Sequence, residues 1–203
     1  RRRRPPSGLP PVESDVYLPG VNSTPTPASA STRSSPLEAV ARLRGLVVLV
    51  AAAAFVRLHD LSDWWLNPDE GIYYSILTRA DFAGFWQEVT ANAHPPVFYL
   101  LLRGLGYLTW DFVLLRWAPV LFGVAAIWAF WLAGRELGGP GVRGVVAGVL
   151  AATWLALSPD AVALSQVLRP YSLVVLLLAG SLVALLRYRS RPERRTLVAY
   201  TGL

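Results

Sequence analysis

The sequence predicts an all-α polytopic membrane helix bundle with an outer loop of juxtamembrane amphipathic helices, and three observations predict it. Of its 203 residues 54% are hydrophobic and only 16% are charged, where a soluble domain carries roughly 25% charged residues. Four apolar segments have close to the length that a bilayer crossing needs. Arginines and acids also separate along the chain into blocks, as expected when loops alternate between two sides of a membrane. The composition excludes an ordinary soluble domain, and its hydrophobicity excludes a disordered chain.

Residues 1–36 differ from the rest. They are rich in Pro, Ser, Thr and Arg, cannot bury enough apolar surface to offset ordering entropy, and read as a disordered cytoplasmic tail. Arg1 to Arg4 fit contact with anionic lipid better than contact with nucleic acid. Residues 37–203 form the membrane module. Its spans are read at about 43–58, 112–134, 142–157 and 170–186, with the outer loop at 59–111. A further apolar segment opens at Thr196. There is no Met, so Arg1 is not an unprocessed start, and the chain reads as a processed product or a fragment.

Orientation follows from arginine bias. Seven Arg in 1–44 and five in 187–195 place both regions in the cytoplasm, whereas 59–94 holds six acids and one Arg and faces outward. Parity then requires 95–109 to begin and end on the same side. At ~22 Å it is too short for a ~30 Å hydrocarbon core, so it reads as an interfacial or re-entrant helix, with Tyr99, Arg103 and Tyr107 on one stripe. Upstream, Asn67-Pro68-Asp69-Glu70 has the form of a helix start: an Asn cap, Pro at the first position and Glu three residues after the cap. Ile72, Ile76, Leu77 and Ala80 share one helical face, and Phe82, Phe85, Trp86 and Val89 share another. Trp64, Trp65, Tyr73, Tyr74 and Trp86 form an aromatic belt.

The absence of Cys excludes disulfides, thiolate nucleophiles and Cys-bound metals, and two His, His59 and His94, exclude a multi-His metal site. Any metal would be a hard cation such as Mg²⁺ or Mn²⁺ on carboxylates, with Asp69 and Glu70 its candidates. Four candidate sites lie at the outer surface. Asp69 and Glu70 offer a general base and a metal ligand, although a helix dipole and a capping box favour the same acids. His94, before two prolines, is placed to bind a phosphate or an acceptor, or simply to end a rigid turn. Arg169, at the start of the fourth span with Gln166 and Tyr171 beside it, suits a phosphate or an interfacial anchor. Arg116, one turn inside the second span, must face a polar cavity, snorkel or pair with Asp111, and Pro119 is placed to kink its helix. Together they allow one site with carboxylates and arginines against the bilayer, where a lipid-borne phosphate would arrive.

These residues carry a resemblance. WWLNPDEGIYYS, HPPVFYLLLRGLGYL, LLRWAPVLFGVAAIWAFWLAGREL and LALSPDAVALSQVLRPYSL, in that order over roughly residues 45–190, resemble the N-terminal module of glycosyltransferase-C superfamily membrane enzymes. The similarity is to the bacterial family related to dolichyl-phosphate-mannose–protein mannosyltransferases and to the lipid A aminoarabinose transferase. Val167 stands where that pattern has Glu, Pro170 where it has Met, and Trp117-Ala118 alter its Leu-Pro-Ser segment. The resemblance implies sugar transfer at the outer face of the plasma membrane, from a polyprenyl-phosphate-linked donor to a glycan, lipid or protein acceptor. Asp69 and Glu70 would be catalytic, His94, Arg116, Gln166, Arg169 and Tyr171 would bind substrate, and some members use a divalent cation. The alternative is a non-catalytic lipid-binding or scaffold subunit or an inactive truncation. A secondary transporter fits less well, because no inverted repeat is visible.

Overall fold

A computed structural model describes residues 36–59, 61–63, 66–92, 96–190 and 192–202, with side chains described from Arg44 onward. Among these residues the chain is entirely helical, with no strand. The first helix, α1, spans Pro36–Leu58 and so starts before the expected 43. Its 23 residues extend ~34 Å. Four short helices follow: α2 (Pro68–Leu77), α3 (Phe82–Ala91), α4 (Pro96–Gly106) and α5 (Phe112–Leu115). Then come α6 (Trp117–Gly138), α7 (Val142–Leu157), α8 (Pro159–Gln166), α9 (Tyr171–Ser190) and α10 (Arg194–Gly202).

Among the described residues two stretches are long and apolar enough to cross a membrane: Phe112–Gly138, 27 residues, and Tyr171–Ser190, 20 residues. A third crossing results if α7 and α8, bent by 58° at their junction, are one broken span. The break between α5 and α6 has a local cause. Pro119 has no N–H for the carbonyl of Leu115, and the turn at Arg116 absorbs the mismatch. At its far end α6 runs past the expected 134 and stops at Gly139-Pro140-Gly141. Both of these glycines adopt positive φ (74° and 76°), which an L side chain disfavours. α9 likewise continues beyond the expected 186, taking Arg187 and Arg189 into its last turn. Cations are favoured there by the carbonyl end of the helix dipole. α4, at 11 residues and ~16 Å, is too short to cross, as the parity argument expects.

The helices pack around two cores of different texture. Alanines dominate the buried centre of the first, where Ala53, Ala126, Ala152 and Ala156, with Ile127 and Leu155, bring α1, α6 and α7 together. Small residues let helix backbones approach closely, which is how helices associate where lipid removes the hydrophobic drive. The second core is built from large side chains of α2–α5, with Tyr73, Leu77, Phe85, Phe98, Tyr99 and Leu102 packed onto Leu115, Leu168 and Leu173. The expected apolar faces are half-realised: Ile76, Leu77, Phe85 and Val89 are buried, whereas Ile72, Phe82 and Trp86 face outward. Tyr73 departs from the belt expected at the surface. It is buried and stacks on Tyr99, with ring centroids 4.7 Å apart and planes 3° from parallel. Arg103 closes this layer by donating to the carbonyls of Leu77 (2.9 Å) and Arg79 (3.0 Å) at the end of α2. Trp64 and Trp65 lie outside the described residues.

Candidate functional site

The site grows from the start of α2. Asn67 caps the helix: its side chain accepts from the Glu70 N–H (2.9 Å), and the Glu70 carboxylate accepts from the Asn67 N–H (3.2 Å). The capping box read in the sequence is therefore present, and it sets the directions of the two acids. Asp69, one position earlier, points outward and is 67% exposed, while Glu70 turns inward and is 1% exposed.

Glu70 meets Arg116 in a two-pronged ion pair. Arg116 Nε donates to Oε1 (3.0 Å) and Nη2 to Oε2 (2.8 Å), and the backbone N–H of Leu168 also donates to Oε1 (2.6 Å). Arg116 Nη1 further donates to the Leu61 carbonyl (3.2 Å). One buried carboxylate thus ties together the start of α2, the α5–α6 break, the segment after α1 and the loop before α9. Asp111, the nearer acid in sequence, does not take this place. Its side chain caps α5, accepting from the N–H groups of Val113 and Leu114.

Directly beside this pair stands a second one that reaches solvent. Arg169 Nη1 lies 2.6 Å from Asp69 Oδ2, and Nη2 donates to the Tyr171 hydroxyl (2.9 Å). The guanidinium also sits 5.3 Å from the ring centroids of both Tyr73 and Tyr171, close enough for cation–π attraction. Its Nε has no partner. Burial alone would lower the Arg169 pKa, but Tyr171 and Asp69 outweigh it and hold the group above its ordinary value. Burial also raises the two stacked phenols. For Tyr99, neighbouring Tyr73 adds to that effect, whereas for Tyr73 the Arg169 charge works against it.

Four of the residues expected to cluster, Asp69, Glu70, Arg116 and Arg169, are brought together as two adjacent ion pairs. Tyr171 joins them through Arg169. Gln166 does a different job, since its amide donates to the carbonyls of Arg57 and His59 (both 3.2 Å) and holds the end of α1 against α8. His94 lies outside the described residues. A metal on Asp69 and Glu70 does not fit this arrangement. The two carboxylates diverge, both Glu70 oxygens are already taken, and no group of three potential ligands exists among the described residues.

Two features were not expected from the sequence. Arg57 reads as a span boundary with a snorkelling side chain, yet it is fully buried. It donates to the carbonyls of Ala53 (3.2 Å), Ala156 (3.3 Å) and Leu155 (3.1 Å), the latter two being end-of-helix acceptors of α7 that lack intrahelical donors. Helix α8 is the other. Its start, Ser158-Pro159-Asp160, repeats the cap–Pro–acid pattern of Asn67-Pro68-Asp69 and was legible by the same rule.

Among the described residues, fold and site together define an all-helical architecture with two, or up to three, candidate membrane-spanning helices and a layered carboxylate–guanidinium site at one end of them. No protein family profile, curated protein or solved structure matches this chain.

Proposed function

We propose that this chain is the N-terminal module of a polytopic plasma-membrane glycosyltransferase that moves a sugar from a polyprenyl-phosphate-linked donor to an acceptor hydroxyl at the outer face. The observation that carries the reading is the Asp69–Arg169 pair: an exposed carboxylate and a phosphate-matching guanidinium 2.6 Å apart, where apolar helices end. In the resting state each neutralises the other. The donor phosphodiester competes for Arg169, whose Nη1 and Nη2 now hold Asp69 and the Tyr171 hydroxyl. Asp69 is thereby released to take the proton of the acceptor hydroxyl. That oxygen then bonds to the anomeric carbon as the bond from this carbon to the phosphate oxygen breaks, and the lipid phosphate leaves with the electron pair against Arg169. Glu70 and Arg116, both buried, hold α2 and the loop before α9 in register and so fix the spacing of the reacting pair.

The test is sugar transfer by the full-length enzyme that carries this module, in membranes, against a panel of polyprenyl-phosphate sugars. Asp69→Asn is expected to lower transfer by about 10²–10⁴-fold with expression unchanged, the usual worth of a general base. Retention of most activity rejects the role. A non-catalytic lipid-binding or scaffold subunit is the second reading, and the observation favouring it is that Asp69 and Glu70 are both ion-paired. Absence of transfer by the wild-type full-length protein with every donor supports it.

The proposal also fixes sidedness. With α1 taken as a crossing in addition to the three candidates, the α5–α6 helix, α7 with α8, and α9, Asp111 lies outside and Arg187 inside. The chain has no Cys, so a single introduced Cys reports alone. Asp111→Cys is expected to react with an impermeant thiol reagent added to intact cells, and Arg187→Cys only after permeabilisation. The reverse pattern sinks the topology.

A further inference from the structure

A cavity of about 320 Å³ lies among α1, α6, α7, α8 and α9, with Arg57 in its wall. At ~30 Å³ per water, that is room for roughly ten waters, or for a phosphodiester and its first methylenes. Its walls are mainly apolar, and its rim includes the exposed side chains of Trp154 and Leu164, on helices that the membrane reading sets in or against the bilayer.

Two buried donors in this wall lack an acceptor. Arg57 is 0% exposed and bonds only to backbone carbonyls, and its Nε has no partner. A Cβ added at Gly123, which also lines the cavity, would stand 3.4 Å from that Nε. Ser172 is 5% exposed, lines the same cavity, and its Oγ is also unpartnered. A buried guanidinium without a carboxylate is costly, and helix-end carbonyls offset only part of that cost. Capping of α7 accounts for Nη1 and Nη2 of Arg57. It leaves the Nε and the Ser172 hydroxyl unexplained.

We propose that this cavity binds a lipid phosphodiester, its non-bridging oxygens facing Arg57 Nε and Ser172 Oγ and its hydrocarbon leaving past Trp154 and Leu164. Asp160, exposed at the rim, sets the charge of the head. One buried cation beside one peripheral carboxylate suits a monoanion, whereas a phosphomonoester carries about −1.5 to −2 at neutral pH. The site is separate from the Asp69–Arg169 pair. Tyr171 bridges them, lining the cavity while its hydroxyl accepts from Arg169. The inference rests on the membrane reading and not on sugar transfer, so its test measures binding alone.

The delipidated full chain in detergent is titrated with phosphatidylglycerol, with a diacylglycerol of the same acyl chains, and with inorganic phosphate, and the unfolding midpoint is followed. Phosphatidylglycerol is expected to raise the midpoint saturably and the other two to leave it unmoved. Ser172→Ala is expected to weaken the phosphatidylglycerol response about tenfold, the worth of one hydrogen bond to a charged acceptor, without lowering the lipid-free midpoint. If that variant is unstable, Val175→Phe, which fills the cavity from α9, must abolish the response. Equal stabilisation by diacylglycerol or by inorganic phosphate, or a phosphatidylglycerol response untouched by both substitutions, overturns the proposal.

Discussion

Glu70→Ala is expected to cost about 3–5 kcal/mol of stability, because it breaks a buried ion pair by removing one partner. The Arg116 guanidinium is 1% exposed, and two of its nitrogens donate to the carboxylate that the substitution removes. The Leu168 N–H loses its acceptor in the same step, and so does the Asn67 N–H at the helix cap. Two comparisons make the measurement specific. Glu70→Gln keeps the shape and one acceptor oxygen and should cost less. The double change Glu70→Met with Arg116→Met should recover much of the loss, because well-packed apolar side chains often replace a buried ion pair at no net cost. Unfolding midpoints of the four proteins in detergent decide it. A double variant as unstable as Glu70→Ala would show that the bonds to the Leu61 carbonyl and from the Leu168 N–H, and not the broken ion pair, dominate.

That pair also marks where sequence reading stops. The capping box at Asn67–Glu70 is a local pattern, four residues long, and it is legible because a helix start repeats the same chemistry everywhere. The partner of Glu70 is 46 residues away, and nothing local selects it. Asp111 looks like the natural counter-ion for Arg116 from spacing alone. It is diverted by the N–H groups of α5, which exists as a separate turn only because Pro119 breaks the helix behind it. The long helices were legible because length and hydropathy are properties of a single segment. Their ends were less so: α9 takes in Arg187 and Arg189, which arginine bias assigns to a loop although the helix dipole favours them. Arg57 shows the same limit. A cation at the edge of an apolar stretch reads as snorkelling, and only the packed position of α7 shows that unsatisfied carbonyls pull it inward. Asp69 and Arg169 each stand out in the sequence, but their contact depends on the loop before α9 being held to α2 by the Leu168–Glu70 bond.

Gly148→Leu is expected to separate α6 from α7 and to cost about 3 kcal/mol or more, the upper end for overpacking, because what it strikes is backbone. A Cβ at Gly148 would stand 2.8 Å from the Trp131 carbonyl oxygen and 2.7 Å from Arg135 Cγ. One at Gly134, on the opposite helix, would stand 2.6 Å from the Ala147 carbonyl oxygen. Side chains at such a contact can change rotamer, but a carbonyl in a helix cannot move without its helix. Gly144, Gly148 and Ala152 recur every four residues on the buried face of α7, so the close approach runs along the helix and one large residue disturbs all of it. Gly148→Ala should already destabilise, and by less than Leu. The alternative is that the hairpin is held by its short Gly139-Pro140-Gly141 turn and tolerates a wider spacing. In that case both variants keep the wild-type resistance to unfolding by SDS, and the small-residue face is only a consequence of the turn. A graded loss from Gly to Ala to Leu at residue 148, with Val149→Leu on the exposed neighbouring position unchanged, places the stability in the helix contact itself.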